Sequence, residues 1–113
     1  MGRILILEPQ PEIRDLVAHV VTRLGHVALT QVADQYDDID AIVLEPESLH
    51  GLAVAHQLHA RFPELPIVCE SIAPPGPKTS DLNPAAYLLK PFGLDELELV
   101  LMSALAAASV DAV

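Results

Sequence analysis

Two glutamates carry most of the chemistry open to this chain. Glu45 follows the unbroken apolar run Ala41-Ile42-Val43-Leu44, itself preceded by Asp40 and closed by Pro46. A run of that length is too short for a buried helix and reads as a central parallel strand covered on both faces. The carboxyl ends of such strands are where open parallel sheets build their sites. Glu45 is therefore a reactive group, a metal ligand or one half of an ion pair. Glu8 ends a second apolar run, Arg3 to Leu7, and is followed by Pro9. Among the histidines, His56 and His59 are three apart on an expected helix and share a face, with His50 nearby. A structural zinc site wants four ligands and no fourth is evident, so solvent-facing imidazoles are the plainer expectation. Cys69, inside an apolar stretch, reads as a small core residue.

These groups sit in a chain of 113 residues that is 51% hydrophobic, enough for one domain with a real core. No apolar run reaches the ~18 residues a membrane helix needs. The N-terminus is strand-like and carries no charged-then-apolar leader, which points to a cytoplasmic protein. A lone cysteine cannot support a disulfide framework. Sixteen acidic against six basic residues give a formal charge of −10. That charge repels nucleic-acid phosphates and anionic membranes alike, leaving soluble proteins with basic patches as the natural partners.

The elements that must position the glutamates can be read in order. After the Arg3 to Leu7 strand, Pro11 suits a first helical position. Ile13, Leu16, Val17, Val20, Val21 and Leu24 then form one helical face, ended by Gly25 as a left-handed cap. His26 to Gln31 is a modest strand. Only Val32 to Ile39 separate it from the central strand, so that crossover is cramped or irregular. A helix from about Leu49 or Gly51 to Arg61 turns Leu52, Ala55, Leu58 and Phe62 inward, and Pro63 and Pro66 punctuate its end. Pro66 to Cys69 is the fourth strand, leading into Glu70 and Ser71. Ala73-Pro74-Pro75-Gly76-Pro77 cannot start a regular helix, and Thr79 to Asn83 has room for one turn. Ala85 to Leu89 is the fifth strand, broken by Lys90-Pro91-Phe92. Leu94 to Ala108 forms the last helix, with Leu97, Val100, Leu101, Ala104 and Leu105 inward, and Ser109 to Val113 reads as a frayed tail. No repeat, linker or low-complexity segment appears, so residues 1–113 form a single domain. Strands alternating with helices give a three-layer α/β fold, flavodoxin-like and doubly wound, with a five-stranded parallel sheet of order 2-1-3-4-5.

At these residues the chain resembles a bacterial two-component response-regulator receiver domain of the CheY-like kind, over nearly all its length. Arg3 to Arg14 is similar to the family's opening, a strand ending in two adjacent aspartates. Asp40 to Glu45 resembles the strand that ends in the phospho-accepting aspartate, and Ile67 to Ser71 the strand that ends in the switch Thr or Ser. Tyr87-Leu88-Leu89-Lys90-Pro91-Phe92 matches the family's aromatic, lysine and proline, and is the most specific of the four motifs. The resemblance implies a phospho-acceptor position at Glu45, an acidic pocket at Glu8 and Pro9, a switch pair at Ser71 and Tyr87, and the lysine at Lys90. It also implies that the second and fourth helices are shortened or missing here.

The departures set the functional expectation. Glu8 and Glu45 are each a methylene longer than aspartate, and Pro9 offers no ligand for the magnesium that phosphoryl transfer needs. The expectation is a degenerate receiver, or pseudo-receiver. It is no enzyme, binds no cofactor, takes no phosphate in the usual way, and acts by protein–protein contact. Glu45 either pairs structurally with Lys90 or stands in for a phosphorylated aspartate. Glu8 beside Glu45 should raise one carboxyl pKa unless Lys90 compensates. Ser71 should hydrogen-bond locally. Tyr87, expected at the surface, is the leading interface residue. A sensor kinase, an output protein or a second copy would meet the 73–105 face. Two alternatives remain: a still-active magnesium-dependent phosphoacceptor, and a small-ligand sensor whose pocket opens at the sheet's carboxyl edge.

Overall fold

The structure, a computed structural model, describes residues 2–31 and 38–111. Five strands, β1 (Arg3–Leu7), β2 (Val27–Leu29), β3 (Ala41–Leu44), β4 (Ile67–Ser71) and β5 (Ala86–Leu89), make one sheet in the order β2-β1-β3-β4-β5. Every pairing is parallel. The helices among the described residues are α1 (Pro11–Arg23), α2 (Leu49–Arg61), α3 (Pro77–Ser80) and α4 (Leu94–Asp111). The layering follows from side-chain alternation along each strand. Ile4, Ile6, Val43 and Val68 point to the face that packs Val17, Val20 and Val21 of α1 against Leu97 and Leu101 of α4. Leu5, Leu7, Ile42, Leu44 and Cys69 point to the opposite face, under Val54, Ala55 and Leu58 of α2. All four residues of β3 are buried, as a central strand requires.

Local signals explain the helix ends next to the site. Pro11 opens α1, where a missing N–H has no partner to lose. At its other end Gly25 takes φ +90°, while the N–H groups of Gly25 and His26 return to the carbonyls of Thr22 and Val21. That closes the helix with the bond pattern of a Schellman cap. The Ser48 hydroxyl accepts the Gly51 N–H at 3.2 Å and starts α2 directly beyond Glu45.

Several boundaries differ from the sequence reading. β2 is shorter than His26 to Gln31. β4 runs two residues past Cys69, because Glu70 and Ser71 pair with Leu88 and Leu89 of β5. Pro77, inside the stretch expected to exclude a helix, occupies the first position of the single turn α3. α4 continues through Asp111 instead of ending at Ala108. Leu16 borders a surface cavity instead of the core. Phe62 is exposed, with the Arg61 guanidinium 5.1 Å above its ring. The cramped crossover and shortened second helix expected over Val32 to Ile39 fall mainly on residues 32–37, outside the described residues. The shortened fourth helix is observed as the four residues of α3, held down by buried Thr79 and Leu82.

Candidate functional site

The carboxyl edge of the sheet gathers a buried charged cluster. β1 delivers Glu8, β3 delivers Glu45, β4 delivers Glu70 and Ser71, and the turn after β5 delivers Lys90. All four strand-borne residues are buried, and the Lys90 side chain keeps only 11% of its surface exposed. The Lys90 ammonium lies 2.6 Å from Glu8 Oε1, 3.2 Å from Glu70 Oε2 and 3.8 Å from Glu45 Oε1. Glu8 is satisfied on both oxygens, because its Oε2 accepts the Gln10 N–H at 3.1 Å. The Lys90–Pro91 peptide bond is cis.

Glu70 is the residue the sequence reading missed. Its side chain is fully buried, and neither oxygen has a hydrogen-bond partner although Oε2 is in ion-pair range of Lys90. Burial, and then the neighbouring Glu8 carboxylate, push the Glu70 carboxyl up to about 8 against the pull of Lys90. The signal was available: Glu70 lies two residues beyond Val68 and so shares its inward face. The apolar run that marks the strand stops at Cys69, so the charge at Glu70 reads as the strand's end.

The expected Glu8–Glu45 repulsion exists but is not the main influence. The Glu45 carboxyl is raised chiefly by burial, with Lys90 and the Ser71 hydroxyl opposing and Glu8 adding a smaller push. One Glu45 oxygen, Oε2, is buried without a partner. Burial alone would lower the Lys90 ammonium, but Glu8 and Glu70 outweigh it and hold the amine charged above its ordinary range. Cys69, buried beside this edge, is a thiol pushed up to about 12 by burial and then by Glu70 and Glu45. It is unreactive at neutral pH.

Ser71 and Tyr87 form a continuous polar path. The Ser71 hydroxyl donates to Glu45 Oε1 at 3.3 Å and accepts the Ala73 N–H at 3.2 Å. The Ala73 carbonyl accepts the Tyr87 hydroxyl at 2.7 Å. Tyr87 is half-buried, packed against the α2-side core, and does not stand out as a surface anchor. The reason is this hydrogen bond, which turns the ring inward. Pro9 is exposed and contributes no donor atom to the cluster.

Of the histidines, His50 is exposed, while His56 and His59 are half-buried, each with part of its surface in solvent. His59 Nδ1 is buried without a partner. No group of three or more His, Cys, Asp or Glu with metal-binding geometry occurs among the described residues. A cavity of about 220 Å³ opens beside the cluster, bordered by Leu7, Glu8, Pro9, Arg14, Ser48 and His50 among others.

This architecture is the fold of response-regulator receiver domains. The chain is similar to NtrX from Brucella abortus in complex with ATP, at 26% identity and a TM-score of 0.79, over 98% of this chain and 28% of that one. It therefore spans little more than a quarter of NtrX. It is also similar to the chemotaxis response regulator CheY4 of Vibrio cholerae, with a TM-score of 0.78, 17% identity and 92% and 98% of the two chains covered. A response regulator from Thermotoga maritima aligns with a TM-score of 0.77, 15% identity, and 94% and 98% covered. No protein-family model matches the sequence, and no curated protein does. No helix among the described residues is long and apolar enough to cross a membrane.

Proposed function

We propose that the chain is a pseudo-receiver in bacterial signal transduction, working through protein contact without the usual phosphorylation. The observation that carries this reading is the Lys90 ammonium, 2.6 Å from Glu8 and within 4 Å of Glu45 and Glu70. A cation already sits among the carboxylates, and it is one the chain supplies itself. Magnesium demands near-octahedral oxygen geometry at about 2.1 Å. Pro9 offers it no donor, Glu8 has both oxygens engaged, and Glu45 and Glu70 share Lys90. The residues present do not fit the ion. Glu45 is also a poor acceptor, since its Oε1 is held by Ser71 and faces Lys90. With both members hydrogen-bonded, the Ser71–Tyr87 pair is held in its arrangement by Glu45 and Ala73 without a phosphoryl group. A sensor kinase, an output protein or a second copy is the partner class, and exposed Leu89, Leu99 and Met102 support contact through the 73–105 face.

Incubation with acetyl phosphate and magnesium, followed by intact mass measurement, tests the reading. An unchanged mass is expected; a phosphorylated chain would restore the active-receiver alternative. The cavity beside Glu8 favours a second reading, a small-ligand sensor on the same fold. A saturable thermal shift with nucleotides or metabolites, lost on Arg14→Ala, would establish it.

A further inference from the structure

Three carboxylates converge on one lysine, and that imbalance has a consequence. Fully ionised, Glu8, Glu45, Glu70 and Lys90 would leave two uncompensated negative charges in a buried site, which low dielectric makes very costly. The group that gives up its charge is the most deeply buried, Glu70, whose two oxygens have no hydrogen bond to lose. We propose that the input this domain reads is a proton on Glu70, relayed through Lys90, Glu45 and Ser71 to Tyr87. The inference rests on the pseudo-receiver reading and names its signal.

The relay follows contacts already described. While Glu70 is protonated, Lys90 serves Glu8 and Glu45, and Glu45 holds the Ser71 hydroxyl. When Glu70 releases its proton to water, a third negative charge appears 3.2 Å from the ammonium. Lys90 is drawn toward it and away from its most distant partner, Glu45 at 3.8 Å. Glu45 then bears more of its own charge, and the Ser71 bond that depends on it is reset. Ser71 is bonded to Ala73, and Ala73 to the Tyr87 hydroxyl, so the change reaches the half-buried ring. The ionisable groups facing Glu70 are few. β1 presents Glu8, the turn after β5 presents Lys90, and β3 presents Glu45 across that lysine. Cys69 neighbours Glu70 on its own strand, and its thiol stays protonated throughout. α1 and α4, which cover this face, present apolar Val17, Leu97 and Leu101. Burial and Glu8 place the Glu70 transition at about pH 8, within reach of ordinary changes in a cell's pH.

The test is a titration of ¹³C-labelled protein from about pH 5 to about pH 9, a range spanning ordinary and raised carboxyl values. It is run in a Tyr36→Phe background that leaves Tyr87 as the sole tyrosine, since the sequence has two. The Glu70 Cδ resonance is expected to shift with a midpoint near 8, where an ordinary glutamate gives 4.5, and the Tyr87 ring resonances to move with the same midpoint. Glu70→Gln should leave Tyr87 unresponsive. The Glu70 carboxyl titration needs no change at Glu70, so the outcome stands even where Glu70→Gln does not fold. A Glu70 midpoint in the ordinary carboxylate range, or a Tyr87 ring indifferent to it, overturns the proposal. Phosphate uptake in the separate acetyl phosphate assay would defeat the pseudo-receiver reading, while the titration of the unphosphorylated chain tests this proposal alone, so the two failures are distinguishable.

Discussion

The body of the sheet and its carboxyl edge are built from the same strands on opposite principles. In the body, Ile4 to Leu7, Ala41 to Leu44 and Ile67 to Cys69 are buried among aliphatic side chains, where stabilisation is non-directional and scales with apolar area. At the edge, one residue further along each strand, the same depth of burial is imposed on Glu8, Glu45 and Glu70. There each charge depends on one ammonium and a few directional bonds. The body should tolerate any pH that leaves it folded, whereas the edge should answer to every proton and every missing partner.

The sharpest way to break that contrast is to remove the shared cation. Lys90→Met keeps the packing volume but leaves three buried carboxylates without a counter-charge. It should cost about 3–5 kcal/mol at pH 8, the usual loss when one partner of a buried pair is deleted. Denaturant titration checks this, and the loss should shrink at pH 5 as the glutamates take up protons. Ile42→Ala, in the body, should cost about 2–5 kcal/mol by leaving a cavity. That loss should be the same at pH 5 and pH 8.

The next prediction concerns Glu70 alone. Its carboxyl holds a proton more tightly in the folded chain than in the unfolded one. The contribution to stability is therefore complete below about 4.5 and is lost as pH rises through about 8. Wild-type stability should fall across that window by a few kcal/mol at most, and Glu70→Gln should flatten most of the slope. A profile equally steep in Glu70→Gln would assign the proton elsewhere. Smallest of all is Ser48→Ala, which removes the cap of α2 and should cost about 1 kcal/mol.

The same contrast explains what the sequence disclosed. β1, β3 and α1 were legible because unbroken apolar runs and a three-and-four spacing report burial without reference to any partner. Gly25 was legible as a cap because the conformation it adopts is chemically restrictive. The edge was only half legible. Glu8, Glu45, Ser71 and Lys90 stand out by type and place, but the sequence suggests Glu45 as the partner of Lys90, and its nearest partner is Glu8. Glu70 escaped altogether. Its alternation with Val68 points inward, but its burial also needs β4 to run on and pair with Leu88, beyond the apolar run that marks the strand. Tyr87 was assigned to the surface for a related reason, since the Ala73 carbonyl that turns it inward belongs to a loop without periodic pattern.

The most direct measurement of the central claim follows the Glu8 and Glu45 side-chain carboxyl resonances during a magnesium titration at neutral pH. With Lys90 occupying the space between the carboxylates, both signals should remain where they were to millimolar metal. Saturable shifts of the two together would mean that the ion displaces the lysine, and that the site remains a working receiver pocket.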